Sequence, residues 1–381
     1  MRPNVREAAP LREAACETAR RAEIGRIGIF HATLPVADRK PGGVELFVHR
    51  LGCGLADAGF DVEVISLSDR PRDARYRHRR VFARLSGLCR RRIFLLLVMP
   101  VLLNFVRFKD YDVIHFHGSD WACLFRGCAS VRTFHGSALL EARTATSRGR
   151  RLSQYLIYPL EHLARRLADV ALGVSEQTNE IYRTDGTAKL LVPEASFHPG
   201  EKTARPSFVF IGTWAGRKRG QFVAERFTNG VLPRLPDAKL YMACDHVPVS
   251  DAIVDLGRPS DAALAKILRE SWALLSASTY EGFGIPYLEA MRSGTAIITT
   301  ENSGADHLLA HGRYGCIVKD EEFAAKIVAL AENEGLRRAY EAAGQRRAAE
   351  FSERQVLAEH IAHYQQAIAR FAEKTASRRH A

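Results

Sequence analysis

The chain has 381 residues, 46% of them hydrophobic and 26% charged, with a formal net charge of +12. That length exceeds one typical core and suits two domains, and the composition is that of a soluble globular protein. Seven cysteines with no C-x-x-C pair and no ladder of spacings exclude a disulfide scaffold and predict free thiols in a reducing compartment.

The positive surplus biases the chain toward anionic partners: nucleic acid, anionic lipid or phosphorylated substrates. It is concentrated between Arg70 and Lys109, where twelve Lys or Arg face only Asp73 and the adjoining Asp110. No zinc-finger, RNP-type or helix-turn-helix pattern accompanies it, so specific nucleic-acid reading is not expected.

Residues 1–24 are rich in Ala, Arg and Glu, lack an apolar signal segment, and read as a disordered tail or an early start. A strand follows over Arg26 to His31, then a loop with Pro41-Gly42-Gly43. Val44 to Ala58 has helical periodicity, with Gly59 able to end it in a left-handed conformation. Asp61 to Ser66 is the next strand, so the order is a Rossmann-like opening. Gly52 and Gly54 lie within the helix, not between strand and helix, and do not make a dinucleotide fingerprint.

Ile93 to Val106 is apolar apart from Asn104, too short to span a bilayer, and interrupted by Pro100. It reads as a helix packed on the sheet, or as a surface helix whose basic flanks (Arg90 to Arg92, Arg107, Lys109) rest on an anionic membrane. Asp112 to His117 and Ser130 to Phe134 are strands, the latter ending in His135-Gly136-Ser137. The D-x-D at Asp110 and Asp112 resembles a metal-binding signature but has no ligands nearby and reads as loop. A helix over 151–167, a strand over 169–174, a helix over 175–184 and a strand over 188–193 complete the first half.

Residues 199–206 have linker composition and mark the expected domain boundary. The pattern then restarts with a strand over Ser207 to Ile211, a basic loop G-T-W-A-G-R-K-R-G from Gly212 to Gly220, and a helix. Strands over Ala238 to Ala243 and Val254 to Gly257 precede a helix over 261–270 capped by Ser260. Trp272 to Ala277 reads as a buried strand leading into E-G-F-G-I-P-Y-L-E, Glu281 to Glu289, and a helix to about Arg292. A strand over Ala296 to Thr300, a turn at Ser303-Gly304, and helices over roughly 320–333, 335–350 and 353–373 follow. Alternating strands and helices in both halves imply two parallel sheets, which bind ligands at the carboxyl ends of their strands.

Two stretches carry chemistry. Glu281 precedes a helix and Glu289 lies a turn inside it, while the free N–H groups of the helix start favour an anion. Amides for an anion beside two carboxylates suit a ligand that is part phosphate and part polyhydroxyl. Arg217, Lys218 and Arg219 follow a strand and precede a helix, where adjacent cations can clamp a diphosphate. His115 and His117 end a strand, one expected in the core and one at an acceptor surface. His360-x-x-His363 has metal-like spacing without a third ligand and reads as helix surface. Cys123 and Cys128 read as inert thiols.

Taken together, G-G-V-E at 42–45, D-V-I-H-F-H, T-F-H-G, the basic loop, L-G-R-P-S-D at 256–261 and the E-x7-E stretch followed by E-A-M-R-S-G-T occur in one order. In that order the chain resembles the retaining GT-B glycosyltransferases of the large family 4 type, from residue 26 to the C-terminus. The resemblance implies an α/β fold of two Rossmann-like domains facing an interdomain cleft. Residues 25–200 would form the acceptor domain and 201–352 the nucleotide-sugar domain, with 353–381 a helix crossing back. Glu281 would hold donor-sugar hydroxyls. The backbone of Gly282, Phe283, Gly284 and Ile285 would approach sugar and phosphates, and Glu289 would take the ribose. Arg217, Lys218 and Arg219 would neutralise the diphosphate. Gly42 and Gly43 would admit the same phosphates, His135 would sit beside the sugar, and Arg258 would line the base. Two departures stand out: Thr213 replaces an Arg usual after the first glycine of the basic loop, and Gly304-Ala305-Asp306 replaces paired glycines and a Glu.

The expected function is therefore sugar transfer from a nucleotide diphosphate sugar to a glycan or a polyprenyl- or other lipid-linked acceptor, in cell-surface polysaccharide synthesis. No cofactor and no metal are expected, since fixed cations can stabilise the leaving diphosphate. The expected location is cytoplasmic, with peripheral contact at the inner face of the membrane. An epimerase or soluble-acceptor transferase on the same fold is one alternative. A non-catalytic anion- or nucleic-acid-binding protein is another, disfavoured because pocket carboxylates repel phosphates unless sugar hydroxyls occupy them.

Overall fold

The computed structural model describes residues 24–35, 42–90 and 93–380. In chain order the first half runs β1 (Arg26–Phe30), α1 (Gly43–Asp57), β2 (Asp61–Ser66), β3 (Arg77–Arg80), β4 (Val113–Phe116), β5 (Ala129–Phe134), α2 (Ala138–Thr144), α3 (Arg148–Leu167), β6 (Val170–Gly173), α4 (Glu176–Tyr182) and β7 (Gly186–Thr187). The second half runs β8 (Ser207–Ile211), α5 (Gly220–Arg226), β9 (Lys239–Ala243), β10 (Ile253–Asp255), α6 (Asp261–Glu270), β11 (Ala273–Ser276), α7 (Ile285–Arg292), β12 (Ala296–Thr300), α8 (Ser303–Leu308), β13 (Cys316–Val318), α9 (Phe323–Glu332), α10 (Glu334–Ala349) and α11 (Glu353–His380). The strands make two sheets, ordered β3-β2-β1-β4-β5-β6-β7 and β10-β9-β8-β11-β12-β13. Their central pairs are parallel, β1 against β2 and β4, β11 against β8 and β12. Such strands are buried on both faces, which is why V-I-H-F and A-I-I-T-T read as near-continuous runs. The expected α/β class with two Rossmann-like sheets is what the structure shows.

Two compact units emerge. The first holds the described residues up to Thr133, Leu163–Leu172 and the chain from Leu357 onward; the second holds Phe134–His162 and Gly173–Val356. The units thus divide at other points than residues 200 and 352. In the first unit Phe30, Ile65, Met99, Leu103, Phe108 and Phe116 belong to one apolar cluster. In the second, Phe208, Phe210, Phe227, Leu240, Leu275 and Ile298 play the same part.

Several elements differ from the sequence expectation for identifiable reasons. β3 is written R-H-R-R, with no apolar residue. It pairs in register with β2 and is held by Arg77 on Asp61, Arg80 on Asp69, and His78 against Ser66 Oγ at 2.9 Å. The run at 188–193 forms no strand; Leu190, Leu191 and Val192 are buried as irregular chain. The turn expected at Ser303-Gly304 is instead the start of α8, capped by Asn302, whose Oδ1 accepts the Ala305 N–H at 3.0 Å. Most of the expected N-terminal tail and Pro41 lie outside the described residues, but Ile24 is buried. Gly52 lies inside α1, where a Cβ would stand 2.8 Å from Tyr76.

The apolar run after β3 is buried along one side and exposed along the other. Phe94–Val98 makes one wide π turn, Met99–Leu102 one α turn and Leu103–Phe105 one 3₁₀ turn, a mixture consistent with Pro100 lacking an N–H. Phe94, Met99 and Leu103 face the core, while Ile93, Leu97, Val101 and Phe105 are exposed. Asn104 ties a second apolar loop to this face: its Nδ2 donates to the Ala122 carbonyl at 2.7 Å and its Oδ1 accepts from Leu124 N–H at 2.7 Å. Leu124 and Phe125 are exposed beside it.

The histidines correct the sequence reading. His115 and His117 are both buried, and His115 is bonded to Tyr364 and Thr133 hydroxyls at 2.9 and 2.8 Å. His360 is not helix surface: it is buried, with its ring 5.8 Å from His115 and 5.9 Å from Phe47. The D-x-D residues make structural bonds, Asp110 to Arg107 and Asp112 to the Arg26 N–H. Burial pushes the Cys123 thiol up to about 11 and Cys128 to about 12.

Candidate functional site

The site lies in the second unit, where β11 ends and α7 begins. The loop between them must turn sharply. Gly284 sits at φ 90°, the left-handed region that a side chain disfavours, and Pro286 occupies the first turn of α7, where no N–H is missed. Gly282 packs its Cα against the His135 carbonyl so closely that a Cβ would stand 2.1 Å from that oxygen. Tyr280, buried, accepts the Ser137 N–H on its hydroxyl at 2.7 Å. His135-Gly136-Ser137 and the E-G-F-G loop are thus packed together within one unit.

The basic loop after β8 reaches the same place. Its Arg217 carbonyl accepts the Thr279 N–H at 2.9 Å, and the Arg217 guanidinium donates to the Tyr280 carbonyl at 2.7 Å. The Glu281 carboxylate then meets two cations: Lys218 Nζ at 2.5 Å on one oxygen and Arg217 at 3.2 Å on the other. Ser303 Oγ donates to the Glu281 carbonyl at 2.9 Å, fixing the backbone from the α8 side. Burial alone would raise the Glu281 pKa. The Lys218 and Arg217 charges, with hydrogen bonds from Lys218 and Ser278, outweigh it and hold the carboxyl below its ordinary range.

The three adjacent cations do not converge. Arg219 adopts a left-handed conformation, φ 56°, and its side chain pairs with both carboxylate oxygens of Asp320. There it lines a cavity of about 380 Å³ together with Thr279, Thr300, Glu301 and Lys319, at the carboxyl ends of β11, β12 and β13. That is where open α/β sheets take ligands. Thr213 turns its hydroxyl to the Ala215 carbonyl, and Arg217 is the guanidinium beside Glu281.

The remaining sequence candidates fall as follows. Ile285 opens α7; Glu289 lies inside it and is buried. Phe283 is buried with its ring against Phe351, so only its backbone can approach a ligand. Arg258 is exposed just beyond β10. Gly42 and Gly43 begin α1 in the first unit, where the Gly42 N–H donates to Glu45 at 3.1 Å; a carboxylate of the chain already occupies that helix start. Tyr280, Ser303 and Asp320 were not singled out from sequence. Tyr280 directly precedes the motif, but nothing in its spacing announces a bond to Ser137. Among the described residues, no group of three or more His, Cys, Asp or Glu is arranged to hold a metal ion.

Comparison with known proteins follows the same lines. Residues 41–192 match the family described as Glycosyltransferase Family 4, and residues 238–347 match Glycosyl transferases group 1. A phosphatidyl-myo-inositol mannosyltransferase of Mycolicibacterium smegmatis is 24% identical over 350 residues, covering 83% of this chain and 87% of its own. One from Mycobacterium tuberculosis is 25% identical over 264 residues, 62% of this chain and 68% of its own. A sucrose-phosphate synthase from Thermosynechococcus elongatus superposes with a TM-score of 0.75 at 19% identity, over 91% of this chain and 99% of its own. WaaG, a glycosyltransferase involved in lipopolysaccharide biosynthesis, superposes at 0.63 and 14% identity, over 88% and 98%.

Proposed function

The chain belongs to the family 4 glycosyltransferases, and from that premise we propose that it transfers a sugar, with retention, from a nucleotide diphosphate sugar to a lipid-linked or glycan acceptor. The observation that carries this reading is the buried Glu281 carboxylate, set between Lys218 and Arg217 at the start of α7. Glu281 holds hydroxyls of the transferred sugar. Lys218 and Arg217 face the diphosphate, joined by Arg219 at the cavity beyond Thr279. Glu289 on the same helix is the candidate for the ribose, and Arg258 for the base. His135, packed against Gly282 in the same unit, completes the donor surroundings.

In the transfer, the bond between the anomeric carbon and the phosphate oxygen breaks, and its electron pair stays on the diphosphate. The acceptor hydroxyl oxygen bonds to the same face of that carbon, and its proton passes to the departing phosphate oxygen. Negative charge therefore grows on the diphosphate, and preorganised cations and helix-start amides stabilise it without requiring a metal. A thermal-shift panel of UDP-, GDP- and ADP-sugars tests the reading, because a bound donor raises the melting temperature by mass action. No shift with any of them, together with full transfer by a Glu281→Ala variant, would sink it.

The acceptor reading is a lipid-linked substrate at the inner face of an anionic membrane, as part of surface glycan synthesis. Among the described residues no helix is long and apolar enough to cross a bilayer. Outward apolar side chains support surface contact: Ile93, Leu97, Val101, Phe105, Leu124 and Phe125, within the basic first half. In the second unit, taken by itself, α3 exposes Leu152, Tyr155 and Leu156 near Arg148 and Arg151 in the chain. Apolar side chains rimmed by arginine suit a headgroup boundary. The mycobacterial relatives are phosphatidyl-myo-inositol mannosyltransferases, which also favours a lipid acceptor. Sedimentation with phosphatidylglycerol vesicles should be salt-sensitive and fall at least tenfold in a Leu97→Glu/Phe105→Glu variant. Unchanged sedimentation in that variant removes the membrane part alone.

A further inference from the structure

The assignments above place Glu281 on the sugar and Lys218 and Arg217 on the diphosphate, and the inference here rests on them. In the structure these three groups are joined to one another, at 2.5 and 3.2 Å. A diphosphate at this place competes with Glu281 for the two cations. The Glu281 side chain is 8% exposed, so it cannot turn to water for solvation once they leave. A buried carboxylate stripped of its partners carries a large desolvation cost. An intact donor meets that cost, because its sugar hydroxyls donate to the vacated oxygens. A nucleoside diphosphate without the sugar does not.

We propose that Glu281 is a counter-ion that tells donor from product. It releases Lys218 and Arg217 when sugar hydroxyls replace them, and reclaims them after transfer, driving out the nucleoside diphosphate. The geometry assigns the movement to the cations. Glu281 is fixed through its carbonyl by Ser303. Lys218 and Arg217 are more open, at 19% and 31% side-chain exposure. Arg217 keeps a bond to the Tyr280 carbonyl, so Lys218, on its flexible stem, travels further. The same arrangement adds a preference for the whole donor over the more abundant charge of any free diphosphate.

Calorimetric titration of the full chain with UDP, GDP and ADP, and with the sugar of whichever binds, tests this directly. Glu281→Gln keeps the shape and removes the charge; matching melting curves confirm that it folds. The nucleoside diphosphate should bind the variant at least about tenfold more tightly than the wild type, a change of roughly 1.4 kcal/mol. The advantage of the intact donor over the diphosphate should shrink by a similar factor. Lys218→Met should weaken diphosphate binding more in the Glu281→Gln background than in the wild type, since only there is the lysine uncommitted. Equal or weaker diphosphate binding by Glu281→Gln overturns the counter-ion, as does a Lys218→Met effect that is no larger in that background. If none of the three nucleotides binds either protein, the donor-site reading fails and takes this inference with it.

Discussion

Among the described residues, Asp120 in the first compact unit and Glu281 in the second are buried carboxylates each held by two cations. Asp120, in the first, lies between Arg126 at 3.2 Å and Arg132 at 2.8 Å, and all three side chains are at most 7% exposed. Glu281, in the second, lies between Lys218 and Arg217, which remain 19% and 31% exposed. The charges and distances are alike; the access differs. A triad sealed on every side can only hold the chain together. One whose cations reach solvent can exchange partners with an incoming phosphate. Burial of the carboxylate therefore does not separate the two triads; exposure of its partners does.

The sharpest way to break this contrast is to remove each acid. Glu281→Ala should lower transfer about a thousandfold, on the scale seen when a preorganised electrostatic partner is lost, while the protein still melts cooperatively. Asp120→Ala should instead cost about 3–5 kcal/mol of stability, because two buried guanidiniums lose their counter-charge. Denaturant titration of both variants checks this, and the reverse pattern would overturn the contrast. Next in size, Lys218→Met should reduce kcat/KM about a hundredfold, whereas Arg219→Met should act through the cavity it lines with Asp320 and leave the Glu281 pair standing. A smaller change is expected for Tyr280→Phe. It removes the acceptor of the Ser137 N–H and should destabilise by about 1–3 kcal/mol, with KM rising as the His135 loop loosens against Gly282.

The smallest effect is on the acid side of the stability curve. The folded-state pKa of Glu281 is depressed below the ordinary value of about 4.3. Below that value the unfolded chain binds the proton first, so stability falls as pH drops from about 4.3 through the folded pKa. Wild type should lose melting temperature in that window more steeply than Glu281→Gln. Parallel curves would show that the two cations do not hold the carboxylate in its charged form.

Much of the second unit was legible along the chain. Ser207–Ile211, Asp261–Glu270 and Ala296–Thr300 fall where their apolar runs, caps and glycines place them. β3 was not legible, because R-H-R-R has no apolar pattern and owes its strand to pairing with β2 and to Asp61 and Asp69. The opposite error arose at 188–193, where an apolar run is buried without joining a sheet. His360 looked like surface because its own helix has polar neighbours; Phe47 and His115, distant in sequence, bury it.

By itself the sequence determined the class of fold, the strand-turn-helix that carries Glu281 and Glu289, and a basic loop between a strand and a helix earlier in the same half. These depend on periodicity and on glycine and proline positions, which act over a few residues. Only the tertiary structure decided which cations serve that acid. Arg217 and Glu281 are 64 residues apart in the chain, and their meeting depends on two loops converging. A single left-handed residue at Arg219 sends the third cation to Asp320 instead. Charge pairing is a matter of distance in space, and a run of three basic residues does not contain that distance.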